Sequence, residues 1–209
     1  MEPYIEGSED TRAYVVEGCS LSVSREPRRW EVSFHGQGRD GDFVPPGAPE
    51  PEVLLRVLQG VKGLESSGPT SLRAPDAATL DEVERRLAAA SPWPPTITRT
   101  VRGDDQAAAR ILGAPRPAGT RRHISVRAHF EVVVELPVSG EGTVCIRTWG
   151  KVPPDFAETT VRRLGLEPVP VGTRGEPRFV VSAAALPIVL AAARAELGAE
   201  HVGVTDSRV

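Results

Sequence analysis

The sequence predicts an α+β fold of two similar lobes related by an internal pseudo-duplication. Each lobe is a β-hairpin joined to helices, with antiparallel or mixed sheets each covered by those helices. Three observations carry this expectation. Strand-like alternation opens each half, over 13–34 and over 123–149. A Val-Pro-Pro triplet, Val44-Pro45-Pro46 and Val152-Pro153-Pro154, precedes the first helical run of each half. The order hairpin, Pro-rich loop, helix, short strand, helix, strand then describes both 13–101 and 123–209. A shorter echo competes with this register. Pro-x-Pro-x-Gly-Thr-Arg stands at 115–121 and again at 168–174, each time after Leu-Gly. Both registers cannot be ancestral, and the half-chain one accounts for both chain ends.

Taken in order, residues 1–12 are polar and acidic and read as a flexible N-terminal arm. Residues 13–24 alternate at Cys19, Leu21 and Val23, and 30–34 alternate at Trp30, Val32 and Phe34, which makes the first hairpin. A Gly- and Pro-rich loop follows. Helical runs are predicted at 51–61 and at 77–90, the second capped by Asp76. A short strand is predicted near Leu72, and the β-branched run 96–101 closes the first lobe. Residues 102–122 are a connector holding a short helix that ends at Leu112-Gly113.

The second lobe opens on 123–136, read as one long strand. Phe130, Val132, Val134 and Leu136 lie on one face; Arg127, His129, Glu131, Val133 and Glu135 lie on the other. A turn at 139–142 and a return strand to Trp149 complete its hairpin. Helices ending at Leu164-Gly165 and spanning 183–197, with strands at 178–181 and 201–205, finish the chain.

At 209 residues and 40% hydrophobic composition the chain can bury a core, and with 5% aromatics that core is aliphatic. Lys62 and Lys151 are the only lysines among 25 basic residues and Asn is absent, a skew expected of a GC-rich bacterial genome. A net charge of −3 offers no general attraction for nucleic acid or acidic membranes. No secretory leader opens the sequence, and no apolar run approaches the ~20 residues a membrane span needs. A cytoplasmic protein is expected. Cys19 and Cys145 are too few for a disulfide framework or a Cys-rich metal site and read as buried thiols.

Gly36-Gln37-Gly38-Arg39-Asp40-Gly41 has Gly-x-Gly-x-x-Gly spacing, but Pro45, Pro46 and Pro49 stand where a dinucleotide-binding helix must run. No metal-ligand spacing, nucleophile elbow or phosphate-binding loop is present, so no metal and no cofactor is expected. His129 and Glu131, two apart on a presumed strand, are the weak candidates for acid–base catalysis. Trp93, between prolines, and Trp149, at a strand end, either plug the core or anchor a partner. Arg122 and Arg127 belong to a dense arginine set at the start of the second lobe. Trp93, Trp149, Arg122 and Arg127 are therefore the candidate binding residues. These features point to a non-enzymatic protein-binding module, an adaptor or an immunity-type inhibitor of a toxin or effector, with another protein as partner. The alternative is a small enzyme or ligand sensor with a site between the lobes, using His129, Glu131 and nearby Arg.

Overall fold

The computed structural model describes residues 4–17, 19–26, 29–34, 52–68, 71–171, 177–198 and 201–208. The Gly-rich loop with Val44-Pro45-Pro46, and Gly172-Thr173-Arg174 of the second echo, lie outside the described residues.

Two lobes with separate, helix-covered sheets are not what the chain forms. Among the described residues, twelve strands stand in one sheet, in the order β10-β11-β9-β8-β7-β12-β6-β1-β2-β3-β5-β4. They are β1 (Glu9–Val16), β2 (Cys19–Glu26), β3 (Arg29–Phe34), β4 (Glu65–Gly68), β5 (Ser71–Arg73), β6 (Thr96–Arg102), β7 (Thr120–Arg127), β8 (Phe130–Leu136), β9 (Gly142–Thr148), β10 (Pro170–Val171), β11 (Arg178–Val181) and β12 (His201–Arg208). The described residues also hold five helices: α1 (Glu52–Val57), α2 (Ala77–Ala90), α3 (Asp105–Gly113), α4 (Phe156–Arg163) and α5 (Leu186–Leu197). The physical reason for one sheet lies in its edges. Two separate sheets would leave four edge strands with unpaired backbone groups; one sheet leaves two. Both are short, two residues in β10 and four in β4.

The strand order repeats within the sheet. The first half runs β6-β1-β2-β3-β5-β4 and the second β12-β7-β8-β9-β11-β10, with matching positions in the chain. The Pro-x-Pro echo does not share this register: its first copy leads from α3 into β7, its second from α4 into β10. Compact packing divides the chain between Thr98 and Arg99, with Met1–Ser8 joining the second unit. The stretch 102–122, expected as a connector, belongs to that second unit, and β1 begins inside the expected arm.

In the unit Glu9–Thr98, α2 packs on β1, β2 and β3. Asp76 caps it by accepting from the Thr79 amide at 2.7 Å. Leu80, Val83 and Leu87 meet Tyr14, Val16, Leu21, Val23 and Val32 in its core. Inside that core sits an ion pair, Arg12 to Glu84 at 3.6 Å, both fully buried.

In the other unit α3 packs on β12, α4 on β9 and α5 on β7. Ala107, Ile111, Val161, Val189 and Ala193 of these helices join Ile124, Val126, Val132, Val134, Val144, Ile146, Phe179, Val202 and Val204. Those strand residues share one sheet face, so their neighbours in sequence share the other. Residues 123–136 are not one strand. The chain reverses at Ala128-His129, where the Ala128 amide donates to the Phe130 carbonyl at 3.0 Å, and β7 and β8 pair antiparallel. Residues 13–24 likewise reverse after Val16, through Glu17 at a positive φ of 53°.

Candidate functional site

Among the described residues, the second unit's sheet has one face under helices and one face without them. The strand registers lay out the open face row by row. His123 of β7 stands opposite Glu135 of β8 and Thr205 of β12. Glu135 stands opposite Thr143 of β9, and Thr143 opposite Val180 of β11. The next row holds Gly203, Ser125, Val133, Cys145 and Arg178. The row beyond holds His201, Arg127, Glu131 and Arg147.

This face is polar, with charges paired across strands. Arg178 donates to Glu135, and Arg147 approaches Glu131 at 3.7 Å while Ser125 donates to the same carboxylate. Between the two pairs Val133 and Cys145 are 1% and 2% exposed. Cross-strand Arg–Glu contacts on either side of these two apolar residues keep the polar face ordered without a covering helix.

A pocket of about 760 Å³ opens on this face, lined among others by Arg121, His123, Glu135, Thr143, Thr205 and Ser207. The β8–β9 turn, Pro137 to Glu141, forms its rim. Arg116 braces that rim, donating to the Pro137 carbonyl at 2.7 Å and the Leu136 carbonyl at 3.3 Å. Gly142 lets the turn close tightly. A Cβ there would meet Leu136 Cδ2 at 2.6 Å, Val181 Cγ1 at 3.0 Å and the Glu135 carbonyl at 3.1 Å.

His123 Nδ1 lies 3.9 Å from Glu135 Oε1. Burial pushes the imidazole pKa below its ordinary 6.5, an effect that exceeds the opposing pull of Glu135. Arg121 is exposed and spends its Nε on Ser207 Oγ at 3.1 Å. Arg122 is different. Its Nε and one terminal nitrogen each donate to Asp206 at 2.7 Å, and its remaining bonds go to the Ala114 and Pro115 carbonyls at 2.7 and 3.0 Å. With the residue 6% exposed, its guanidinium pins β7, β12 and the end of α3 together.

The residues singled out by sequence are thus dispersed. His129 stands at the β7–β8 turn, exposed, its ring edge-on to Phe130 at 4.8 Å. It does not share a strand face with Glu131, so the expected acid–base pair is not assembled. Arg127 is exposed at the end of β7, on the open face. Trp149 follows β9 and is 55% exposed; Trp93 follows α2 in the other unit and is 52% exposed, so neither plugs a core. The site residues that sequence reasoning missed are His123, Glu135, Arg121 and Arg178. His123 and Glu135 are 12 positions apart and meet only because the chain reverses between them. No family model, no curated protein and no solved structure matches the chain.

Proposed function

We propose that this chain is a non-enzymatic protein-binding module, an adaptor or an immunity-type inhibitor of a toxin or effector. Its contact surface is the open sheet face of the second unit. One observation carries the reading: an ordered polar face, with no helix over it among the described residues, whose Arg–Glu pairs hold their geometry before any partner arrives. Such preorganisation lowers the ordering cost of association. The exposed Arg127 lies on that face, and Trp149 extends from β9, one of its strands. Among the described residues no helix is long and apolar enough to cross a membrane.

A second reading rests on His123. An imidazole beside a carboxylate in a pocket is the unit of general acid–base catalysis, and a small enzyme or ligand sensor would use His123 and Glu135 rather than His129. The experiment is affinity capture from the native host with the wild-type chain, Thr143→Trp and His123→Ala, each checked for native circular dichroism. The binding module predicts one protein retained by wild type and His123→Ala but lost with Thr143→Trp, whose indole fills the pocket. Equal retention by Thr143→Trp overturns it.

A further inference from the structure

The open face carries more arginine than its carboxylates neutralise. Arg121, Arg127, Arg147 and Arg178 stand against Glu131 and Glu135, on a chain whose net charge is −3. Arg178 is taken by Glu135 and Arg147 by Glu131. Among the described residues, Arg121 and Arg127 have no carboxylate partner. Both are on β7, six positions apart on one face, so their Cα atoms are separated by about 20 Å. His123 and Ser125 stand between them. Across the strand pair lie Ser207, Thr205, Gly203 and His201. Gly203 has no side chain, and His201 Nε2 and Thr100 Cγ2 close over it, each 3.6 Å from where a Cβ would stand. At one end Arg121 keeps both terminal nitrogens unspent beside the pocket, the fork that holds a carboxylate by two parallel bonds.

We propose that the partner is an acidic protein segment that lies extended along β7 and β12, placing one carboxylate on Arg121 at the pocket and a second on Arg127. This rests on the protein-binding reading above and names its partner's chemistry. At about 20 Å the two cations lie beyond the screening length at physiological salt, roughly 8 Å, so each attracts its own anion. An extended chain returns a side chain to the same face at every second residue, and carboxylates six positions apart match the spacing. A nucleic-acid strand fits less well. Its phosphates recur far more closely than two sites about 20 Å apart can use, and no Trp, Tyr or Phe stands on the strip to stack bases. Glu141 on the pocket rim is the one lining carboxylate without a described cation partner. It sits on the turn rather than on the β7–β12 strip.

The test uses the full chain and an extended heptapeptide with glutamate at both ends and serine and valine between, followed by amide and imidazole NMR shifts. The expected result is saturable shifts at His123, Ser125 and Thr205. The same peptide with glutamine ends should bind at least about tenfold more weakly, and so should the glutamate peptide to Arg121→Gln/Arg127→Gln. Equal binding of the two peptides, equal binding to the double variant, or shifts with an oligothymidylate but not with the glutamate peptide, would each overturn the proposal. Capture of the host partner separates the two levels. A partner lost with Thr143→Trp but held unchanged by Arg121→Gln/Arg127→Gln keeps the binding face and removes the acidic segment.

Discussion

Arg12 and Glu84 show what a single buried charge is worth in this chain. Both are fully buried between β1 and α2, 3.6 Å apart. Tyr14 lies in the same cluster, its pKa pushed up to about 12, first by burial and then by the Glu84 charge. A buried pair is weak evidence of net stability, but removing one member takes an opposite charge from a partner that stays buried. Glu84→Ala is expected to cost about 3–5 kcal/mol in urea unfolding. A loss below about 1 kcal/mol would mean that Arg12's remaining contacts, its hydrogen bond with Tyr14 among them, are enough to hold its charge. His123 gives a pH prediction of definite sign. Its folded pKa lies below 6.5, so on acidification the unfolded chain takes up the proton first. Its contribution is therefore present above pH 6.5 and declines as pH falls from there toward the folded value. His123→Gln should flatten that part of the stability–pH profile; an unchanged slope between wild type and variant would assign the dependence to other groups.

At the scale of elements, the β7–β8 hairpin holds the site together. Phe130 is 3% exposed and packs edge-on to Phe156 of α4 at 5.5 Å between ring centres. Phe130→Ala is expected to lower stability by about 3–5 kcal/mol, through lost burial and the cavity left behind. An unchanged thermal midpoint would contradict that packing. Gly142→Ala probes the pocket rim. Two of the three close contacts are side-chain methyls and one is the Glu135 carbonyl, so overpacking should cost about 1–3 kcal/mol and shift the His123 resonance. The same hairpin explains why the site was illegible in sequence. In its register Ile124 faces Val134 and Val126 faces Val132, so buried residues are even-numbered on both strands. Apolar alternation therefore runs through the turn without a phase change, and Ala128-His129 carries no Gly or Pro to mark it. In β1–β2 the phase does change: Tyr14 faces Leu21, even against odd, across the turn that Glu17 enters at a positive φ. That reversal could have been read from the pattern. The capped helices were legible because their signals are local. Asp76 and Asp104 each accept an amide three residues on, at 2.7 and 2.9 Å, and Gly198 ends α5 at a φ of 66°.

For the whole molecule, local pattern showed that something repeats but not its elements. Each half opens on three strands where the pattern reads a hairpin, and the joining of all strands in one sheet could not be read at all. Which strand lies beside which is decided by contacts between residues far apart in sequence, such as Arg122 with Asp206, 84 positions on. Strand periodicity holds no record of such partners. The sheet that results has a definite gradient. β7 and β8 have registered partners on both sides, whereas β10 has one, joined through two residues, and β4 has one, with a register shift between Ser66 and Gly68. Local opening is cheapest where few backbone bonds and little apolar burial must be lost. Native-state hydrogen exchange should therefore show amides of β4 and the Val171 amide of β10 exchanging through low-energy local openings. Ile124, Val132 and Val134 should exchange only on global unfolding, with free energies that track urea denaturation. Asp206→Ala gives the complementary arm. By stripping Arg122 of its carboxylate it should lower protection along β7 and β12 by about 3–5 kcal/mol in free energy, as loss of one member of a buried pair does. If β7 exchanged as fast as β4 in the unmodified protein, the sheet would not be centred where its burial places it.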